Sequence, residues 1–197
     1  MARGATLKDI RRATEKQVAR AIQPQALSRA RAAFERIKRE ILGEFNSHPI
    51  TVEIESGPLG ANISGTLQGQ GNLFSFIGFE SGSRPTSAIR ALIRKSYVSA
   101  GAPVGKHIYL NFHLPTKDEI YLSTPLPWAA GRSWVQGVET GMSGLGQYAY
   151  SRKGVSTSRS GTGTQTKNNI RTATYSPRPY VTQIIANATK RLERIIL

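Results

Sequence analysis

There is no cysteine in the 197-residue chain. Its absence removes disulfide frameworks, thiolate zinc sites and cysteine nucleophiles together, and it fits a reducing compartment. Stability must then come from packing or from neighbours. Histidine is scarce, with three residues. His107 and His113 fall on one strand face, but six residues at about 3.3 Å each part them by about 20 Å. His48 precedes Pro49 and has no carboxylate or second histidine beside it in sequence. Surface or hairpin-face roles are expected for all three, with no metal site and no cofactor. No run of 18 apolar residues is present, and the first residues, Met-Ala-Arg-Gly-Ala-Thr-Leu-Lys, lack the apolar stretch of a signal peptide. The chain reads as soluble and non-secreted, without membrane contact.

Acidic residues are few: 12 Asp and Glu stand against 27 Lys and Arg, a net charge of +15. The imbalance lies at the ends. Residues 1–45 hold 11 basic and 5 acidic side chains, residues 46–150 hold 7 and 6, and residues 151–197 hold 9 and 1. Between Glu139 and Glu193 there is no acid at all, whereas Arg152, Lys153, Arg159, Lys167, Arg171, Arg178, Lys190 and Arg191 fall inside. Such a surface attracts a polyanion or an acidic protein.

What is present in quantity is helix-forming sequence at both ends. Leu7 to Phe45 is rich in Ala, Arg, Lys, Glu, Gln and Ile and is interrupted at Pro24, which predicts two helices or one bent one. Leu27, Ala30, Phe34, Ile37, Ile41 and Phe45 recur at steps of three and four, an apolar stripe expected to pack on the protein's own sheet. Alternation at Ile50, Val52 and Ile54 predicts a half-buried strand, and Leu73 to Phe79 a buried one. A short helix is expected from about Thr86 to Tyr97. A hairpin follows, with Ile108, Leu110, Phe112 and Leu114 on one strand, Ile120-Tyr121-Leu122 on the other, and Pro115-Thr116-Lys117-Asp118 as its turn. Another short helix is expected from about Gly131, with Gly141 past its end and Trp128 and Trp134 in the core. From Ser151 to Thr174 the composition falls to Ser, Gly, Thr, Asn, Arg and Lys, which predicts a long mobile loop. After Pro177-Arg178-Pro179-Tyr180, Ile184, Ile185, Ala188, Leu192, Ile195 and Ile196 outline a terminal amphipathic helix.

The resulting expectation is an α+β fold: a small, mainly antiparallel sheet of about four or five strands, flanked by N- and C-terminal helices, with a long extended Gly/Ser/Thr/Arg-rich loop. Within a single domain the chain divides into a basic helical N-terminal arm (1–45), an α+β core (46–150), an extended mobile basic loop (151–178) and a C-terminal helix (179–197).

Catalytic motifs fail one by one. Gly141-Met142-Ser143-Gly144-Leu145 lacks the glycine that a nucleophile elbow needs two positions after the serine. Gly69-Gln70-Gly71 and Gly161-Thr162-Gly163 lack the Gly-Lys-Ser/Thr ending of a phosphate loop. Asp118 and Glu119 are expected on opposite faces of the hairpin, and Glu53 and Glu55 on a solvated strand face. The reading is therefore a non-enzymatic protein.

The order of elements runs from a basic N-terminal helix through a small sheet to a short helix led by Gly82-Ser83-Arg84-Pro85. A Gly/Ser/Thr/Arg loop and a helix introduced by Pro177-Arg178-Pro179-Tyr180 complete it. Phe76-Ile77-Gly78-Phe79 stands before Gly82 and Pro85, and a second stretch leads from Leu126-Pro127-Trp128 through Gly137, Glu139, Gly141 and Tyr148 to Ser158-Arg159-Ser160-Gly161. This order resembles the neck and tail-completion proteins of tailed bacteriophages, and both stretches are similar in style to such sequences. The resemblance implies a non-catalytic head–tail connector in the virion neck, assembled in the host cytoplasm. It further implies a homo-oligomeric ring of about six or twelve copies around the DNA channel, touching portal or head connector and tail proteins. Candidate contacts with a neighbour or with packaged DNA are Arg152, Lys153, Arg159, Lys167 and Arg171; candidate assembly-helix residues are Leu27, Phe34, Ile37 and Ile41. The alternative reading is a non-specific nucleic-acid-binding protein using its basic arms. An enzyme whose site is assembled from residues distant in sequence is a third.

Overall fold

The computed structural model describes residues 6–67, 71–141, 148–150, 163–165 and 175–196. Helix α1 runs unbroken from Leu7 to Ser47, 41 residues, or about 60 Å at 1.5 Å per residue. Its start is fixed by a capping box. The Asp9 N–H donates to Thr6 Oγ1 (3.3 Å), and the Thr6 N–H donates to Asp9 Oδ2 (3.0 Å). Pro24 neither ends nor divides the helix. It lies on the exposed side, where water can satisfy the Arg20 carbonyl that proline leaves without a donor.

The segment expected to be the first strand is a helix, α2 (Pro49–Glu55). Proline at the first helical position is pre-set for helical backbone, and the Ile50 N–H donates to the His48 imidazole Nδ1 (3.3 Å). Alternating Ile50, Val52 and Ile54 also places Ile50 and Ile54 one turn apart, and both are buried whereas Val52 is exposed. Burial holds the His48 imidazole below its ordinary pKa, partly offset by the Pro179 carbonyl. The unfolded chain therefore takes up a proton at this residue before the folded one does. The stability contributed by neutral His48 is complete above about pH 6.5 and is lost as pH falls through the lowered folded-state value. Comparing urea unfolding at about pH 7.5 and about pH 5.5, His48→Asn, which caps without titrating, should show a smaller loss of stability than the parent.

The second expected strand is also helical. Asn72 caps α3 (Leu73–Ile77) by accepting from the Ser75 N–H (2.8 Å), and Gly78, left-handed at φ 90°, ends it. A short continuous apolar run fits a buried strand and a buried helical turn equally well, and here the caps decide. Helix α4 (Ser87–Lys95) is the third short helix, and Tyr97, expected at its end, opens strand β1 (Tyr97–Ala100) instead. Strand β2 (Leu110–His113) pairs antiparallel with β1, Val98 opposite Phe112. The partner expected for β2, residues 120–122, belongs to helix α5 (Lys117–Leu122). Thr116 and Glu119 form its capping box, so Pro115-Thr116-Lys117-Asp118 starts a helix rather than turning a hairpin, and Glu119 is a helix cap rather than a strand residue.

Strands β3 (Pro125–Leu126) and β4 (Ala129–Ser133) form a second antiparallel pair, leading into helix α6 (Trp134–Thr140). Ser133 caps α6 by accepting from the Gln136 N–H (3.1 Å), and Gly141 follows its end as expected. Strands β5 (Tyr148–Tyr150) and β6 (Gly163–Gln165) form a third pair, so residues 163–165 of the expected loop join a ladder. Helix α7 (Val181–Ile196) closes the chain. The fold is α+β, with helices near both ends; among the described residues the strands pair in twos rather than forming one sheet of four or five.

One apolar cluster joins these elements. Phe34, Ile37, Ile41 and Phe45 of α1 meet Tyr180, Ile184, Ala188 and Leu192 at and along α7, with Ile50, Ile54, Phe74, Ile89 and Trp134 packed among them. Trp134 is buried as expected, while Trp128 is half-buried and donates from its ring N–H to the Ile77 carbonyl (2.7 Å). Arg191 on α7 reaches Glu44 (2.6 Å) and Glu40 (3.7 Å) on α1.

Candidate interaction surfaces

Two buried polar groups and one half-buried carboxylate that could suggest chemistry serve the fold instead. Glu53, expected on a solvated face, is fully buried. Its carboxylate accepts from Asn62 Nδ2 (2.7 Å), the Ser64 N–H (2.9 Å) and the Leu73 N–H (2.7 Å), binding the 62–64 turn and the start of α3 to α2. The Tyr180 hydroxyl pairs with Thr51 Oγ1 at 2.7 Å, and burial pushes that phenol well above its ordinary range. Glu139 accepts from the Tyr121 hydroxyl (3.1 Å) and from the Thr182 N–H at the start of α7 (2.9 Å). Burial, and then the Glu139 charge, push the Tyr121 phenol up to about 12. All these groups have protein partners, which is how buried polar groups ordinarily contribute to stability. Among the described residues, no group of three His, Cys, Asp or Glu side chains is placed to hold a metal ion. None of the described helices is long and apolar enough to cross a membrane.

The histidines have separate surroundings. His48 joins the end of α1 to the start of α2. His113 stacks on Tyr97 at 4.3 Å and hydrogen-bonds to Ser99 Oγ at 2.9 Å. His107 makes a backbone bridge with Val104.

The residues expected to form an assembly helix are not free to do so. Phe34, Ile37 and Ile41 are buried in the chain's own core, and Leu27 packs against its edge. Their stripe is consumed by α7 and its neighbours. Arg152, Lys153, Arg159, Lys167 and Arg171 lie outside the described residues, as do residues 142–145 of the elbow-like stretch and Gly69-Gln70 of one glycine pair.

The first half of α1 carries a different apolar stripe. At 100° per residue, Leu7, Ile10, Thr14, Val18 and Ile22 fall within about 120° of one another, and the arc lies about 160° round the axis from the core stripe. Leu7 is 87% exposed, Ile10 54%, Val18 51% and Ile22 48%. From Leu7 to Gln25, Glu15, Ala19 and Gln23 are the residues that are not exposed. They lie one turn apart on the side that meets the 101–108 loop, where Gln23 Nε2 donates to the Gly101 carbonyl (2.6 Å). The loop therefore braces the arm along one line and leaves the stripe open. Thr14, Val18 and Ile22 of the stripe also form one wall of a small recess of about 210 Å³ that Lys106 and Ile108 close from the loop. Single exposed aliphatics are ordinary, but four aligned on a capped helix, turned away from the core, make an apolar strip of the kind that interaction faces use.

No family model, curated protein or solved structure matches the chain.

A second surface lies between α2 and α4. Arg84, Arg90 and Arg94 line a cavity of about 360 Å³ together with Ile54, Glu55, Pro85 and Thr86. Arg90 is held firmly: its NH1 pairs with Glu55 (2.5 Å) and Thr86 Oγ1 (3.0 Å), its Nε donates to Asn46 Oδ1 (2.7 Å), and the guanidinium lies 5.5 Å from the Phe45 ring centre. The hydrogen bond from Arg90 is the chief reason the Glu55 carboxyl sits below its ordinary pKa. Neither surface was singled out by the sequence reading. The signal for the first was present as steps of three and four from Leu7 to Ile22; the second depends on how residues 80–86 turn.

Proposed function

We propose that this chain is a structural subunit of a tailed-phage virion neck. Copies join head-to-tail into a closed ring of about six or twelve between head and tail, and the subunit performs no catalytic step of its own. The observation that carries this reading is the first half of α1, a capped, braced helix whose apolar stripe faces away from its own core. A head-to-tail ring needs two different complementary surfaces on each subunit, and this stripe is suited to be one of them. The element order that resembles phage neck proteins, and the net charge of +15, which suits acidic head or tail neighbours and DNA phosphate, support the same reading.

The rival is a non-specific nucleic-acid-binding protein, favoured by the arginine-lined cavity. Light scattering on the purified chain across protein concentration and salt, with and without duplex DNA, separates the two. The neck reading gives a discrete multi-copy mass without DNA. A chain that stays monomeric and coats DNA, with log affinity falling by about 0.9 per phosphate contacted for each unit of log salt, gives the rival.

A further inference from the structure

We propose that the cavity between α2 and α4 is a binding site for a phosphate group, with Arg84 and Arg94 as its primary donors and Arg90 as a fixed third. The inference rests on this cavity alone and stands whether or not the chain is a neck subunit.

The charge arithmetic comes first. Three arginines and one carboxylate line the cavity, and Glu55 is already paired with Arg90. Two positive charges therefore remain without a counter-charge. No ion pair among the described residues involves Arg84 or Arg94, and both side chains are exposed. Arg90 serves the fold through its own contacts, but Arg84 and Arg94 add no ion pair to it and line the same recess as a third guanidinium, where like charges repel. The arrangement gains when an anion enters. A single carboxylate leaves half of the excess uncompensated, whereas a phosphate dianion matches it and offers several oxygens to planar guanidinium forks.

Preorganisation is the second argument. Arg90 is locked by Glu55, Thr86, Asn46 and the Phe45 ring, so its position costs little further entropy on binding. Arg94 lies one turn along α4 from Arg90, which keeps the two on one face. Ser83 and Ser87 also line the cavity, but their hydroxyls donate to the Glu80 and Arg84 carbonyls (both 2.7 Å). The arginines are therefore the donors available to a ligand. The Thr86 hydroxyl, which would ordinarily cap α4, donates to Glu55 instead (2.6 Å), so the positive end of this helix adds to the field in the recess.

The test follows the arginine side-chain N–H and α4 amide signals by ¹H–¹⁵N NMR. Inorganic phosphate is added at constant ionic strength to the full chain and to the double variant Arg84→Gln/Arg94→Gln. The expected result is a saturable shift at α4 with phosphate and not with acetate, weakened by about tenfold or more in the double variant, while the melting temperature stays the same. Two further ligands identify the source of the phosphate. If the variant lowers the slope of log affinity against log salt for a 20-base-pair duplex by about 2, the phosphate is that of a nucleic-acid backbone. If duplex binding is unchanged and adenosine 5′-monophosphate binds about tenfold more weakly to the variant, the site takes a small phosphorylated molecule. Equal shifts with acetate and phosphate, or a phosphate response that survives in the variant, would overturn the proposal.

Discussion

Replacing Glu53 with Leu should lower the free energy of unfolding by about 2–6 kcal/mol, measured by urea denaturation. Three donors, Asn62 Nδ2 and the Ser64 and Leu73 N–H groups, converge on this buried carboxylate. Asn62 Nδ2 keeps Ser64 Oγ and Thr66 Oγ1 (both 3.3 Å) as acceptors, whereas the Ser64 and Leu73 N–H groups lose this one, and each donor left inside without a partner costs about 1–3 kcal/mol. Set against a total stability of about 5–15 kcal/mol for a domain, that loss approaches the threshold of folding. Glu53→Gln should fall between parent and Leu. The oxygen kept at the Oε1 position still accepts from Asn62 and Leu73, whereas the new amide group opposes the Ser64 N–H. A change within about 0.5 kcal/mol for Glu53→Leu, the range for an ordinary surface position, would return this residue to the solvated face expected from sequence.

Changing Leu7, Ile10, Val18 and Ile22 together to Ser should reduce subunit association by a thousandfold or so and leave the melting temperature almost unmoved. Burying a large aliphatic side chain contributes about 1.5–3 kcal/mol. Four such residues represent more than enough to account for a loss of that size once ordering and docking costs are subtracted. The fold is indifferent because these side chains are exposed and lie opposite the core stripe. Phe34→Ala and Ile41→Ala should do the reverse, costing about 2–5 kcal/mol of stability through cavities in the core that Phe34 and Ile41 share with α7. Sedimentation and thermal melting on the three variants separate the two faces of α1. A quadruple variant that assembles like the parent would show that the stripe is not a subunit contact.

The ends of this chain were far more legible than its middle. Long periodic segments determine their own structure, so α1 and α7 were read correctly in type, and the stripes Phe34–Phe45 and Ile184–Leu192 do face the core. In the middle, three helices of seven, five and six residues are too short for a period of 3.6 to stand out from a period of 2. Their type was written in the caps: Pro49 after His48, Asn72 before Leu73, and Thr116 with Glu119. Alternating or continuous apolar residues concealed that signal. The burial of Glu53 had no local signal at all, since its partners come from residues 9 to 20 positions away.

The same contrast holds for the interaction surfaces. Both stripes of α1 follow from the helical repeat, but which one the protein buries depends on where α7 and the 101–108 loop fall in space. Arg84, Arg90 and Arg94 look unremarkable in sequence, six and four residues apart, until α2 brings Glu55 onto Arg90 and closes one side of the cavity they line.

Negative-stain images of the purified full chain at rising concentration test the ring directly. A neck subunit gives closed particles with a central hole and a rotational symmetry of about six or twelve. Isolated single-chain particles at every concentration, or open filaments that never close, would contradict it.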